Sequence, residues 1–515
     1  MKQKTDYFIP ALSDIFFIIL LMAFYSYGNL LSDCDTGYHI RAGDYILQNL
    51  TIPRTDMFSY LSPALPWTAH EWLSEIIMSL AHKALGLNGV VIFFTLVLTT
   101  TYYLLFKGLR AMNGNLWLLL GLMLLVAISS TIHWLARPHV FTLLLLVIWY
   151  QLLDQYQYRS KNYLLVLPLI MLLWVNLHGG FIIGFLLLGI YFSGNLIFWF
   201  TEQGQDKHSA AKKCRFLMLI AMACLLASMV NPFGYQILLF PFELVSDEVI
   251  MSFVQEFQPA NLQESHPYIY LLFLTLGVLM ISRHRLNWIE LGLILVFIYM
   301  ALYSVRNIPL LAIIAAPIVL KRLDFWFNES GNKFIKFLDR RSASIAETDG
   351  RARGFFWPAL AACILIFMSL PGIKEHMFDP QVKPVAAVEF LKQEHISGHM
   401  FNNEEFGDYI IYAAYPQYKV FIDGRNDMYG ADHVKDYISV IRLERNWKEV
   451  LEQYSIQWIF YNADSLLSRY LMEREDWHLI YADKVAHIYV MDIPEYEYLI
   501  EKYQNVEPVI YEEEE

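Results

Sequence analysis

The chain has 515 residues, of which 56% are hydrophobic, 16% aromatic and only 17% charged. A soluble protein of that composition would leave too much apolar surface in water, so the chain reads as an integral membrane protein. Its formal net charge of -12 comes in good part from the far end, Glu512-Glu513-Glu514-Glu515, and a basic face suited to nucleic acid is absent.

A helical span needs about 20 mostly apolar residues. In chain order, such windows fall at 10–30, 88–107, 115–132, 139–154, 162–178, 180–200, 215–230, 267–282, 287–304, 307–320 and 355–373, about eleven in all. Lys2 and Lys4 precede the first window in the manner of a signal sequence. Its apolar run is long and no small-residue cleavage site follows, so it is expected to be retained. The stretch 72–85 is apolar on one face but carries Glu75, His82 and Lys83, the pattern of an interfacial helix.

Orientation follows from the basic residues. With the N-terminus in the cytoplasm and the spans alternating, the inner segments hold Lys107, Arg110, Arg159, Lys161, Lys212, Lys213, Arg283 and Arg285 among others, and the loop from Lys321 to Arg353 adds more. That is about twenty inside, against about five in the outer loops before the last span. The five are Arg41, Arg54, Lys83, Arg137 and Arg306. The chain from about Pro371 onward is therefore predicted outside.

The expected organisation is a transmembrane domain over 1–373, with a first outer loop at 31–87, and a soluble outer domain over 374–515. The outer domain shows alternating patterns: helices at 385–394, 405–414, 431–441, 446–454 and 464–473, and strands at 399–402, 419–422, 457–461, 478–482 and 485–491. Pro384 opens the first helix, and Asp483-Lys484 separates the last two strands as in a hairpin. This alternation predicts a compact α/β domain. Cys214, Cys224 and Cys363 fall in or beside spans, which leaves Cys34 as the one outer thiol and gives no disulfide framework.

Chemistry-bearing residues gather at one side of the membrane. Directly after the first span, Asp33, Asp35, His39 and Arg41 fall within nine positions. Two carboxylates that close suit a divalent cation such as Mg or Mn, or a general base and an orienting partner; solvated loop residues have the same spacing. The loop continues through Asp56 to His70 and Glu71, which either serve a site or mark the start of the interfacial helix. Other outer span ends add His133-Trp134, Arg137-Pro138-His139, Asn176-Leu177-His178-Gly179-Gly180 and Asn231-Pro232-Phe233-Gly234, with Glu243, Glu256 and Arg306-Asn307. Trp134 and Trp174 read as interface anchors. Charged and imidazole groups at the hydrocarbon edge are costly unless they line a wet cavity, so these ends predict a shared polar site. Arg137 and Arg306 suit a phosphate, which guanidinium binds as a fork; snorkelling toward headgroups is the alternative.

The arrangement resembles the GT-C glycosyltransferases, which include oligosaccharyltransferases, protein O-mannosyltransferases, arabinosyltransferases and lipid A aminoarabinose transferases. Asp35-Thr36-Gly37-Tyr38-His39, Pro53-Arg54-Thr55-Asp56, Arg137-Pro138-His139, Asn176-Leu177-His178-Gly179, Asn231-Pro232-Phe233-Gly234 and Phe421-Ile422-Asp423-Gly424-Arg425 are similar to strings of a large bacterial family assigned to GT-C. The resemblance implies an enzyme of the bacterial inner membrane that takes sugar from a polyprenyl phosphate or pyrophosphate carrier, with inversion, and passes it to an acceptor outside the cytoplasm. It implies Asp35 as catalytic base or metal ligand, with Asp33 second. Arg306 or Arg137 would hold the carrier phosphate; His39, Arg41, His70, Glu71, His139, His178 and Glu256 would support the site. Asp423 and Arg425 would help to bind the acceptor, or form a structural pair. The alternatives are a flippase or transporter, which should place ionisable groups at the midplane in related repeats, and a non-enzymatic envelope assembly protein.

Overall fold

The computed structural model describes residues 8–112, 114–349, 356–370 and 372–509. Lys2, Lys4, Arg351, Arg353, Pro371 and the acidic end at 512–515 lie outside the described residues. The chain divides into two compact units. One comprises Met1–Leu30, Asn88–Pro241 and Val254–Glu375; the other comprises Leu31–Leu87, Phe242–Phe253 and His376–Glu515. The first outer loop therefore folds with the C-terminal segment.

The first unit is helical. Each apolar window overlaps a helix, most with bounds that differ by a few residues, but Gly204–Ser228 begins well before its window at 215–230 and Ile308–Glu329 runs well past its window at 307–320. Leu87–Arg110 and Gly179–Thr201 are long and apolar enough to cross a membrane, and shorter apolar helices accompany them. Ile308–Glu329 is the central element: residues 308–320 are buried on every face, as expected of a helix apolar all round. It packs against Trp288–Tyr303, Leu116–Ser129 and Pro267–Ile281, while Ile182–Thr201 packs on Gly204–Ser228. On the outer faces Leu124, Leu169, Phe200, Leu219, Phe273 and Met280 are exposed, a surface that water would penalise. A helix that the sequence did not suggest, Lys333–Asp349, is pinned by Ser342 Oγ, which accepts the Leu116 N–H at 2.9 Å.

Trp134 and Trp174 correct an expectation. Neither is an interface anchor: both are buried, because each indole N–H finds an internal partner. Trp134 donates to the Tyr102 hydroxyl at 3.1 Å and Trp174 to Thr142 Oγ1 at 2.9 Å.

The second unit carries a four-stranded sheet in the order β1-β2-β4-β3. The strands are β1 (His399–Asn402), β2 (Ile456–Asn462), β3 (Trp477–Ala482) and β4 (Ala486–Met491). β1 runs parallel to β2, and β2–β4 and β3–β4 are antiparallel, so the predicted hairpin is present. The predicted strand at 419–422 is not in the sheet; Val420 makes a single parallel bridge with Ser59 of the first loop. That loop is not irregular. It supplies the helix Asp35–Asn49, which packs on Trp72–Leu85 and on Glu404–Ala414.

Candidate functional site

In the second unit, acidic groups converge where Asp35–Asn49 meets Glu404–Ala414. Asp33 Oδ1 accepts the Asp35 N–H at 2.9 Å, which satisfies one of the free donors of the helix start. Asp35 is the first helical residue, where the positive end of the helix favours a carboxylate. Close approach depends on two glycines. A Cβ on Gly37 would stand 2.8 Å from the Asp408 carbonyl oxygen, and a Cβ on Gly424 would collide with the Asp35 carboxylate and stand 3.1 Å from Asp408 Oδ2. The Asp35 and Asp408 carboxyls thus lie against the same bare Cα. The Gly424 N–H donates to both Asp408 oxygens, at 3.1 and 3.3 Å. Asp408 is buried; burial first, then the charges of Asp35 and Asp423, raise its carboxyl well above the usual range.

Beside this pair, Asp423 and Arg425 form a buried fork. Arg425 Nε and Nη2 donate to Asp423 at 2.7 and 2.6 Å, Nη2 lies 2.8 Å from Asp56 Oδ1, and the guanidinium stacks 4.6 Å from the Trp67 ring centre. The two side chains are 0% and 2% exposed. Through Asp56 they tie the first loop to the C-terminal segment. Glu404 accepts a hydrogen bond from Asn426, and burial, with Glu405 and Asp423 adding, pushes it up to about 7.

Of the supporting residues expected from the first loop, His39 is buried between Glu71 at 3.6 Å and Glu75 at 3.5 Å, with His70 3.6 Å from Glu71. Arg41 is engaged otherwise: its Nε donates to the Tyr412 carbonyl at 2.7 Å, near the end of Glu404–Ala414. Among the described residues no group of three or more His, Cys, Asp and Glu side chains is arranged to hold a metal ion.

In the first unit, three polar span ends leave the α-helix as 3-10 turns, Thr131–His133, Gly179–Phe181 and Val305–Asn307. They bring His133, Arg137, His139, His178 and Arg306 around Glu256. Arg137 Nη1 lies 2.8 Å from Glu256 Oε1 and Arg306 Nε 4.0 Å from Oε2. Burial pushes the Glu256 carboxyl upward, but Arg137 and Arg306 outweigh it and hold it below the usual carboxylate range. Burial keeps His133 neutral, down to about 4. His139 Nε2 donates to the His133 carbonyl at 3.0 Å.

His178 decides the character of this group. Its Nδ1 accepts the Gly180 N–H at 2.9 Å and lies 2.8 Å from Thr142 Oγ1. These partners assign the remaining proton to Nε2, which faces Arg306 Nη2 at 3.2 Å. Two donors point at one another, and two guanidinium cations face one carboxylate. An anion alongside would accept from both groups. Asn176 and Asn231 do not join in; Asn231 Nδ2 donates to Asn176 Oδ1 at 3.0 Å and ties helix ends together. Glu243 is exposed in the other unit.

No protein-family model matches the sequence, and no curated protein matches it. Solved structures do. The oligosaccharyltransferase AglB from Archaeoglobus fulgidus, in complex with an inhibitory peptide and a dolichol-phosphate, matches with TM-score 0.54 and 11% identity over 88% of this chain and 69% of that one. The apo oligosaccharyltransferase of the same organism gives 0.53 and 12%, over 94% and 74%. The chain has a GT-C fold. ArnT from Cupriavidus metallidurans bound to undecaprenyl phosphate matches at 0.47 and 10%, over 93% and 98%. Within this GT-C fold, sequence reasoning picked out Asp33, Asp35, Arg137, His178, Glu256 and Arg306, but missed Asp408, Glu404, Glu75 and Thr142. The available signal for Asp408 was an acid inside the run Phe406-Gly407-Asp408-Tyr409-Ile410, whose neighbours are apolar.

Proposed function

We propose that the chain is a membrane glycosyltransferase that moves a sugar from a polyprenyl phosphate or pyrophosphate carrier to an acceptor on the extracytoplasmic side of a bacterial inner membrane. The observation that carries this reading is the donor pair Arg306 and His178 with Arg137 alongside, a net positive site for a phosphate in a chain of GT-C fold. AglB of that fold is solved with a dolichol-phosphate. Arg306 and His178 Nε2–H hold the carrier phosphate, and Arg137 anchors Glu256, which limits the positive charge. Asp35 takes the proton of an acceptor hydroxyl as its oxygen attacks the anomeric carbon. The C1–O bond to phosphate breaks, and the carrier phosphate leaves with the electron pair. The exposed apolar faces of the first unit and the basic-residue asymmetry support the membrane setting and a cytoplasmic N-terminus.

The test is transfer of radiolabelled sugar from a synthetic polyprenyl-phosphate carrier by the purified full chain in detergent. Asp35→Asn should lower the rate by about a hundred- to ten-thousandfold, the usual worth of a general base, while folding stays intact. Carrier movement between leaflets of a vesicle without sugar transfer would instead select the transporter reading.

A further inference from the structure

We infer that the helix Lys333–Asp349 lies along the membrane surface, with Phe334 and Phe337 dipping into the bilayer and Lys333, Lys336, Arg340 and Arg341 on anionic lipid headgroups. This role is separate from sugar transfer and requires only that the first unit is a membrane domain.

Two ties set the depth of the helix. Ser342 Oγ accepts the Leu116 N–H at 2.9 Å and Asp339 accepts from Asn115 Nδ2, both at the start of the apolar helix Leu116–Ser129. Asp349 Oδ1 accepts the Leu12 N–H at 2.7 Å, at the start of the apolar helix Leu12–Ser26. A spanning helix begins where headgroups give way to hydrocarbon, so a helix tied to two such starts runs along that level. Trp117, one residue past Leu116, is exposed there, as suits an aromatic at a membrane interface.

The stripes of the helix match that level. Residues three and four apart share a face. Asp339, Ser342 and Asp349 grip the other helices. Phe334, Phe337 and Arg341 make a second stripe. Phe334 is 66% and Phe337 50% exposed, and Arg341 Cζ lies 5.4 Å from the Phe337 ring centre. Lys333, Lys336 and Arg340 make a third stripe, and all three are exposed. A helix with one apolar and one basic face beside its anchored side is built to lie in an interface.

Charge selects the occupant. Residues 333–341 hold four cations and one carboxylate, Asp339, which is held by Asn115. Among the described residues none of the four cations is in an ion pair, so their counter-charge comes from outside the chain. Under the orientation set by the basic residues, this side faces the cytoplasmic leaflet, where anionic lipid attracts Lys and Arg. A lipid such as phosphatidylglycerol offers phosphate to the cations and acyl chain to the phenylalanines at one depth. An acidic protein would answer only the charge.

The test is hydrogen–deuterium exchange of the full chain in nanodiscs of phosphatidylcholine alone and of an equal mixture with phosphatidylglycerol. Headgroups that bind the folded helix make its opening rarer. Each cation near an anionic surface is worth about fivefold in binding, so exchange over Lys333–Asp349 should slow at least about tenfold in the mixture. High salt should shrink this difference. Replacing the four cations together by Gln should abolish it, with the thermal midpoint in detergent close to wild type. Phe334→Ser with Phe337→Ser should instead speed exchange in both bilayers. Equal exchange of the wild-type helix in the two bilayers overturns the inference and leaves the face to an acidic protein partner. A phosphatidylglycerol effect that survives high salt or the loss of all four cations overturns it too. None of these readouts uses sugar transfer, so they stand or fall apart from the enzymatic reading.

Discussion

Replacing Arg306 tests the phosphate reading most directly. Its guanidinium is 4.0 Å from Glu256, 3.2 Å from His178 Nε2 and 5.4 Å from the Phe257 ring centre, and its side chain is 29% exposed. None of these contacts is a tight buried pair, so the fold should tolerate its loss, with a thermal midpoint close to wild type. A phosphate held by this fork loses at least one charge-assisted hydrogen bond in Arg306→Ala, worth about 1.5–3 kcal/mol, or about 10- to 150-fold in kcat/KM for the lipid donor. Arg306→Lys keeps the charge but not the fork and should fall between. Glu256→Gln should act in the opposite direction, because it removes the one carboxylate that competes with the phosphate for Arg137 and Arg306. Initial rates against donor concentration, with acceptor saturating, separate the three. Wild-type donor dependence in both Arg306 variants would refute the reasoning and leave headgroup snorkelling as the role of this side chain.

Three further outcomes are expected. Arg425→Ala should destabilise the full chain by about 3–5 kcal/mol in denaturant unfolding, because it strands the buried Asp423 and Asp56 carboxylates; a loss below about 1 kcal/mol would show that the pair is not structural. Glu404 stands at about 7 in the folded chain against an ordinary 4.5, so the folded state holds the proton more tightly and stability falls as pH rises through that interval. Glu404→Gln should flatten this fall in thermal unfolding scans at pH 4.5, 6 and 7.5. Reporter fusions at Arg340 and Val450 should report cytoplasm and exterior respectively, given the basic residues from Lys321 to Arg353; Val450 inside would reverse the faces of the whole chain.

Much of the helical unit was legible in the sequence because apolar windows and their polar ends depend only on local composition. Arg137, His178, Glu256 and Arg306 stood out for the same reason: charge and imidazole at the end of an apolar run are conspicuous. In the second unit, local alternation was enough for β1, β2 and the β3–β4 hairpin. It was not enough at 419–422, where an extended segment with strand-like residues pairs with Ser59 instead of a sheet neighbour.

By itself, then, the sequence determined the apolar helices, the basic and acidic residues at their ends and the strands of the small sheet, since each is set by the period or composition of neighbouring residues. Tertiary structure alone decided that Asp35–Asn49 is a helix packed on Glu404–Ala414, that Trp134 and Trp174 turn inward, and that Asp408 meets Asp35 across Gly424. Those outcomes rest on contacts between residues apart in the chain, 32 positions for each tryptophan and its partner and more than three hundred for Asp35 and Asp408. An acid on a short amphipathic helix reads as solvated until the glycine that lets another carboxylate approach it is brought alongside by the fold.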